Sequence, residues 1–177
     1  MKSITAIVIY QAQYSTILFM NTPEIDTKDR SLGALIYLFP LVYSLPFGIL
    51  LLSQFPWLYQ FFAPLVAIYG ITNSLPFASL LIFFGLWFAV VRNENVSNFL
   101  RFNAMQAILL NILQILFSLI MGVLIPAFGG QSLISETLTN TIFMGSVVAC
   151  FFCIFRSIQG QYAELPLLSD AASSQIR

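Results

Sequence analysis

Apolar residues fall into four long runs along the chain, separated by short polar stretches. The runs cover residues 32–52, 75–91, 103–125 and 138–155. An α-helix crosses the hydrocarbon core of a bilayer with about 20 predominantly apolar residues, so each run predicts a membrane-spanning helix. The pattern as a whole predicts an all-α membrane protein with four transmembrane helices.

The four runs define a transmembrane domain over residues 31–156, flanked by two polar segments. Residues 1–30 are predicted as an N-terminal tail that ends in the mixed-charge stretch TPEIDTKDR. Residues 157–177 are predicted as a C-terminal tail with Pro166 and the polar run SDAASSQ, a composition typical of flexible segments. The first 20 residues lack the pattern of a cleaved signal or a transit peptide, which indicates synthesis in an organelle or a bacterium.

The segment between the first two runs, residues 54–73, is apolar but interrupted. Two glutamines and two prolines divide it, including Pro56 and Pro64. Trp57 and Tyr59 belong to the residue types that are enriched at the membrane interface. A full crossing here would also move the basic residues that follow the second run to the other side of the membrane. We therefore expect an interfacial or re-entrant segment between spans one and two.

Composition supports membrane integration throughout the domain. Hydrophobic residues make up 59% of the chain and charged residues only 8%, against about 25% charged residues in a typical soluble domain. There is no charged residue between Arg30 and Arg92. A water-exposed surface cannot be built from such a stretch, so the chain is predicted to be an integral membrane protein.

The distribution of basic residues predicts the orientation. In a four-span topology all seven lysines and arginines fall on the same side: Lys2, Lys28, Arg30, Arg92, Arg101, Arg156 and Arg177. Basic residues near membrane spans favour the cytoplasmic side, so both termini are expected on the cytoplasmic or stromal side. The basic residues next to the spans, which set this orientation, are Arg30, Arg92, Arg101 and Arg156.

The residue inventory excludes most catalytic chemistry. The chain contains no histidine, which removes the commonest general base and the commonest transition-metal ligand. Glycine patterns typical of nucleotide-binding loops are missing, and the predicted spans contain no internal carboxylate. The formal net charge is zero, so no overall field attracts nucleic acid. No catalytic residue, metal site, cofactor or nucleic-acid partner is therefore expected.

Two cysteines, Cys150 and Cys153, form a CxxC sequence inside the fourth run. In a soluble loop this spacing is typical of redox or zinc chemistry. On an apolar helix, with no further cysteine and no histidine to complete a site, it indicates packing by two small apolar side chains.

The third run carries a polar stripe. At about 100° per residue its polar side chains fall within an arc of about 140°; they are Asn103, Gln106, Asn111, Gln114 and Ser118. Apolar residues cover the remaining, lipid-facing side: Ile108, Leu109, Ile112, Leu116, Leu119 and Ile120. Two interpretations stay open. The stripe lines a translocation path, or it makes polar contacts between helices, each worth about 1 kcal/mol.

Three stretches carry a family resemblance. They are GALIYLFPLVYSLPFG at residues 33–48, LPFASLLIFFGLWFAVVRN at residues 75–93 and VSNFLRFNAMQAILLNIL at residues 96–113. In order and spacing they resemble the small four-span subunit of the translocon at the inner envelope membrane of chloroplasts, the Tic-twenty family. Relatives of that subunit occur in cyanobacteria and in the plastid genomes of some algae.

The resemblance implies a component of a protein-conducting translocon, without enzymatic activity, that moves precursor proteins. The implied location is the plastid inner envelope or the equivalent cyanobacterial membrane. The implied partners are the lipid bilayer, other membrane subunits of a translocon and translocating precursor polypeptides. Two alternatives stay open: a small-solute channel or carrier, and a structural or assembly subunit of a larger membrane complex.

Overall fold

The computed structural model describes residues 25–130, 132–165 and 168–175. Regular structure in these ranges is helical throughout, with no strand, so the all-α prediction is confirmed. The helices are α1 (Thr27–Ile36), α2 (Leu38–Gln54), α3 (Pro56–Ser74), α4 (Ala78–Leu86), α5 (Asn98–Ala127), α6 (Leu133–Ile158) and α7 (Leu168–Gln175). A π-helical turn, Trp87–Val91, extends α4. Most of the predicted N-terminal tail lies outside the described residues.

Within the described ranges, three helical units are long and apolar enough to cross a membrane. They are α1 with α2 over Thr27–Gln54, α5 and α6, which contain 28, 30 and 26 residues. A fourth candidate is the pair Pro56–Ser74 and Ala78–Val91, which is bent by 102° at the break. The predicted number of four spans therefore corresponds to three long helical units and one broken pair.

Pro40 explains the division between α1 and α2. Its ring displaces the carbonyl group four residues earlier, at Ile36, and it has no N–H to donate to that carbonyl. The break falls at Tyr37, the residue between the two helices. Pro46, by contrast, lies inside α2 without ending it.

Glutamines and prolines were predicted to interrupt residues 54–73, but the structure shows no such interruption. The segment forms one 19-residue helix, α3. Pro56 stands at the start of α3, where a missing N–H costs little because no helical carbonyl precedes it. Pro64 lies in the interior of α3 and is accommodated there.

The second predicted span is shorter than expected. It begins at Ala78, because Phe77 adopts a left-handed backbone conformation with φ of 61°. At 1.5 Å per residue, Ala78–Val91 extends only about 21 Å, less than the roughly 30 Å of a hydrocarbon core. A crossing in this part of the chain therefore needs the contribution of α3.

Sequence signals fix the ends of α5 and α6, both of which extend beyond the predicted runs. The Ser97 side chain accepts a hydrogen bond from the N–H of Leu100 and caps the start of α5. Gly129, with φ of 80°, follows the end of α5 in a conformation that favours glycine. Ser132 and Ser135 form a capping box at the start of α6.

The core lies between α2, α5 and α6. Gly48 on α2 faces the ring of Phe143 on α6 so closely that an added Cβ would lie 2.7 Å from that ring. Phe62 on α3 packs against the same ring, with centroids 5.6 Å apart. Cys150 and Cys153 are fully buried in this core and are free thiols, in agreement with the prediction that they pack as small apolar side chains.

The C-terminal tail contains a helix, contrary to the prediction of a flexible segment. Helix α7 packs on α5, and its Ala172 is fully buried in a cluster with Phe102 and Met105. Before α7, the ring of Tyr162 packs edge-on against Phe99 and Phe102, with centroids 5.4 and 5.1 Å apart. Partial burial raises the pKa of Tyr162.

Candidate functional site

The basic residues near the spans gather at one end of the bundle, which we name the basic end. Arg30 at the start of α1 lies beside Gly160, just after α6, where an added Cβ would be 2.8 Å from the Arg30 Nε. Arg156 is in the last turn of α6. Arg101 Nε donates to the carbonyl of Val91, next to Arg92, at 2.9 Å. The four basic residues singled out in the sequence thus share one end.

The other end of the bundle carries Glu136, the carboxylate at the start of α6. Gln54 Nε2 at the end of α2 donates to Glu136 Oε1 at 2.6 Å. Helix α3 begins immediately afterwards, at Pro56, and the Trp87–Val91 turn ends beside Arg101 at the basic end. The bent pair therefore starts at one end of the bundle and finishes at the other.

Asn103 joins three helical segments near the basic end. Its Oδ1 accepts hydrogen bonds from the hydroxyl of Tyr37 at 3.0 Å and from the hydroxyl of Ser157 at 2.9 Å. Its Nδ2 donates to the carbonyl of Phe99 at 2.8 Å. Asn103 is fully buried, so this amide is a helix contact and has no exposed surface for a passing molecule.

Gln106, one turn further along α5, is also fully buried but poorly paired. Its Nε2 lies 3.5 Å from the sulfur of Cys153, a long contact to a weak acceptor. Its Oε1 has no hydrogen-bond partner in the described part of the chain. Gln106 therefore contributes little hydrogen bonding to the packing of α5 against α6.

The second half of the stripe borders a cavity of about 210 Å³ at the bend between α3 and α4, which we name the elbow cavity. Its polar lining residues come from α2, α3, α4 and α5: Tyr43, Asn73, Ser79, Asn111, Gln114 and Ser118. Gln114 Nε2 donates to the carbonyl of Pro40 at 3.0 Å, and Gln114 is only 3% exposed. Among the described residues, no Lys, Arg, Asp or Glu lines this cavity.

The stripe predicted from the sequence is therefore divided by the structure. Asn103 and Gln106 are enclosed between helices, whereas Asn111, Gln114 and Ser118 border the elbow cavity. Ser118 is exposed. The lipid-facing side was predicted correctly for Ile112, Leu116, Leu119 and Ile120, which are exposed. The prediction was wrong for Ile108. This side chain is fully buried against Val91 and its neighbours, because the π-helical turn that extends α4 covers that face of α5.

Sequence reasoning missed the partners of the stripe. Tyr37 and Ser157 hold Asn103, and Tyr43 and Asn73 complete the elbow cavity. A tyrosine or serine in an apolar run carries no periodic signal of its own, so their pairing depends on how the helices pack. The described residues contain no group of His, Cys, Asp or Glu side chains that could hold a metal ion.

An all-helical bundle of apolar helices, with a basic end and an uncharged polar interior, defines a multi-pass membrane protein. A family model described as "Chloroplast import apparatus Tic20-like" matches residues 2–172. The chain belongs to this Tic20 family, the one that the sequence motifs resemble.

Relatives from a cyanobacterium and from plastid-bearing organisms agree with this assignment. A "Tic20 family protein" of Synechocystis sp. is 49% identical over 152 residues, covering 86% of this chain and 95% of the relative. "Protein TIC 20-II, chloroplastic" of Arabidopsis thaliana is 33% identical and covers 84% of this chain and 72% of the relative. "Tic20 family protein Ycf60" of Gracilaria tenuistipitata is 33% identical and covers 86% of this chain and 78% of the relative.

Proposed function

We propose that this chain is a subunit of a protein-conducting translocon that moves precursor proteins across the plastid inner envelope or the equivalent cyanobacterial membrane. The observation that carries the proposal is the family match over residues 2–172, to a family described as a chloroplast import apparatus. The chain is not an enzyme. It contains no histidine and no nucleotide-binding glycine pattern, so transport is driven by an ATPase or motor elsewhere in the complex.

The basic end faces the stroma or the cytoplasm in this proposal. Arg30, Arg92, Arg101 and Arg156 lie together at that end, whereas the Gln54–Glu136 hydrogen bond marks the other. Basic residues beside membrane spans are retained on the side where the chain is synthesised, which supports this orientation. Both termini then lie in the stroma or cytoplasm.

The two halves of the α5 stripe have different roles. Asn103 stabilises the bundle because it holds Tyr37 and Ser157, whereas Gln106 is enclosed between helices and adds little hydrogen bonding. Asn111, Gln114 and Ser118 face either the passage for the precursor or a partner helix, because they border a polar cavity in an apolar domain. Ser118 is exposed at this depth, and a polar group there needs a partner other than lipid.

Other membrane subunits are the expected neighbours. The outer faces of α3 and α4 and the break between them expose large apolar side chains, among them Trp57, Phe61, Phe77 and Leu81. Lipid covers such faces equally well, so these residues do not by themselves select a partner. The solute-channel and assembly-subunit alternatives are separated from the translocon by what purifies with the chain.

Co-purification with a stalled precursor tests the proposal. Membranes containing a tagged chain are given a precursor whose folded C-terminal domain halts its transport, and are then solubilised in mild detergent. We expect the stalled precursor and further membrane subunits to purify with the chain, while a precursor without its targeting segment does not. Recovery of membrane subunits with no precursor would support an assembly role instead. Solute flux through liposomes containing only this chain would support the channel alternative.

A further inference from the structure

An apolar groove lies between α1 and α4 at the basic end. Helix α1 and the π-helical turn that extends α4 both pack on α5, but the backbones of α1 and α4 stay apart. The groove between them has a volume of about 440 Å³ and is lined by apolar side chains, among them Leu35, Phe39 and Leu86. It extends from Ile82 to Val90, about 12 Å along the helix. Leu35 is exposed, so the groove is open to the side of the bundle.

A polar pocket of about 570 Å³ adjoins this groove. Its polar lining residues come from the start of α1 and from the loop that leads into α5: Asp29, Glu94, Asn95, Ser97 and Asn98. Val96 and Leu100 line both the pocket and the groove, so the two spaces are continuous. Together they form one cleft, which we name the interfacial cleft, with an apolar part along the helices and a polar part at the basic end.

The dimensions of the groove suit a flexible chain and not a helix. One helical turn with its side chains is about 5.4 Å long and 10–12 Å across, so it occupies roughly 500 Å³. The whole groove, at about 440 Å³, holds less than that. The acyl chain of a lipid is narrow enough to enter. Apolar contact alone does not select a particular lipid, because lipid tails are as apolar as leucine. Selection therefore depends on the polar pocket.

The charge of the polar pocket disfavours an anionic headgroup. Asp29 and Glu94 line it, and among the described residues no lysine or arginine does. The Nε atoms of Arg30 and Arg101, the neighbouring basic residues, donate to backbone carbonyls, each at 2.9 Å. A phosphate in the pocket would lie beside two carboxylates without a counter-charge, and such like-charge contacts are unfavourable. This argument applies to phospholipids in general, since each of them carries a phosphate.

The hydroxyl groups of a sugar match the lining. Each hydroxyl can donate one hydrogen bond and accept others. The ionised carboxylates of Asp29 and Glu94 accept, and the amides of Asn95 and Asn98 can also donate. Neither carboxylate has a hydrogen bond or an ion pair within the described part of the chain, so their oxygens are available to a ligand.

We infer that the interfacial cleft binds a neutral glycolipid, with its sugar headgroup in the polar pocket and one acyl chain in the groove. The hydrogen bonds to the sugar hold this lipid in place, and its acyl chain fills the space between α1 and α4. The lipid thereby joins the first span to the bent pair, two units whose backbones do not otherwise meet at this place.

Native mass spectrometry of the full chain in detergent micelles tests the inference. The probes are a monoglucosyl diacylglycerol, phosphatidylglycerol and phosphatidylcholine, all with the same acyl chains. We expect the glycolipid to bind the native chain at least about fivefold more tightly than either phospholipid, the effect of one net hydrogen bond.

Neutralising the two carboxylates should change the selectivity. In the double variant Asp29→Asn with Glu94→Gln, glycolipid binding should weaken about fivefold or more, because carboxylates accept stronger hydrogen bonds than amides do. Binding of phosphatidylglycerol should become tighter, because the like charge has gone. A variant that had only lost its fold would bind both lipids less. Glu164→Gln, at an exposed carboxylate outside the pocket, is the control and should bind like the native chain.

A second pair of variants tests the groove. In Leu86→Trp the larger side chain takes up space between α1 and α4, so glycolipid binding should weaken. Leu81→Trp is the matched control on the same helix. Leu81 is 68% exposed and does not line the groove, so this variant should bind the glycolipid like the native chain.

Several results would overturn the inference. They are equal affinities for the three lipids, a preference of the native chain for phosphatidylglycerol, and an unchanged selectivity in the double variant. The occupant can also be identified in native membranes with a photoreactive amino acid in place of Leu35, which should crosslink to lipid. Crosslinks to a membrane subunit, to a second copy or to another segment of this chain would show that protein fills the groove.

Discussion

The hydroxyl of Tyr37 donates a hydrogen bond to Oδ1 of Asn103 over a distance of 3.0 Å, linking positions 66 residues apart in the sequence. Tyr37 lies at the break between α1 and α2, and Asn103 lies in the first turns of α5. Ser157 on α6 donates to the same oxygen. One amide thus joins the three long helical units at the basic end, in a region where little water competes for these hydrogen bonds.

Replacing Asn103 with leucine should destabilise the bundle. Leucine keeps a similar volume but leaves two buried hydroxyls, those of Tyr37 and Ser157, without their acceptor. We expect a loss of about 1–3 kcal/mol in the free energy of unfolding, measured by SDS titration in mixed micelles.

Gln106→Leu is the matched control for Asn103→Leu. It is on the same helix and is equally buried. Among the described residues, however, its Oε1 is unpaired and its Nε2 makes one hydrogen bond, to a sulfur 3.5 Å away. We expect this variant to be neutral or slightly more stable than the native chain. Equal losses for the two variants would contradict the distinction between a paired and an unpaired amide.

Gly48→Ala should test the close packing of α2 on α6. The new methyl group would lie 2.7–2.8 Å from the Phe143 ring, so the helices must separate. The expected loss is about 1–3 kcal/mol in the same titration. Gly85→Ala has no atom within 4 Å of the new Cβ among the described residues and should not destabilise the bundle. Phe143→Leu in the Gly48→Ala background should restore part of the loss.

Periodicity and charge predicted the class of fold and the clustering of basic residues, because both are local properties of the sequence. Arg30 precedes the first apolar run and Arg156 follows the fourth, so both lie at the same end of the bundle. The division of the α5 stripe was not predictable in this way. Whether an amide is enclosed like Asn103 or borders a cavity like Gln114 depends on which helix covers it, and the covering helix is set by tertiary packing.

The sequence predicted an interfacial or re-entrant segment before the second span, but the position of the break between α3 and α4 was not predictable, for a related reason. Pro56 and Pro64 suggested an interrupted segment, yet one begins the helix and the other is tolerated inside it. The break lies instead at Phe77, whose backbone has a left-handed conformation that residues other than glycine rarely adopt. Phenylalanine gives no sequence signal for such a conformation.

Cysteine labelling should establish the orientation. Asn95→Cys lies in the loop at the basic end and Leu133→Cys lies at the start of α6, where the native side chain is 83% exposed. In sealed vesicles, an impermeant maleimide should label these positions from opposite sides, with Asn95→Cys on the stromal or cytoplasmic side. The native chain is the control, because Cys150 and Cys153 are fully buried and should stay unlabelled. Labelling of both variants from one side would contradict the four-crossing topology.

The C-terminal helix offers a paired test of its docking on α5. Ala172 is fully buried, whereas the adjacent Ala171 is exposed. Ala172→Asp would place an unpaired carboxylate in an apolar cluster, at a cost of several kcal/mol. We expect limited proteolysis to cleave the tail at least about tenfold faster in this variant. Ala171→Asp should leave the cleavage rate unchanged, and equally fast cleavage in both variants would show that α7 does not dock as described.

Precursor transport in membranes depleted of this chain tests the central claim most directly. The chain is placed under a repressible promoter, and the rate at which a labelled precursor becomes protease-protected is followed as the chain disappears. If the chain is a translocon subunit, this rate falls with the amount of chain, unprocessed precursor accumulates at the membrane, and both effects are reversed by native chain or by Gln106→Leu. An unchanged rate of protection in membranes that no longer contain the chain would contradict the account.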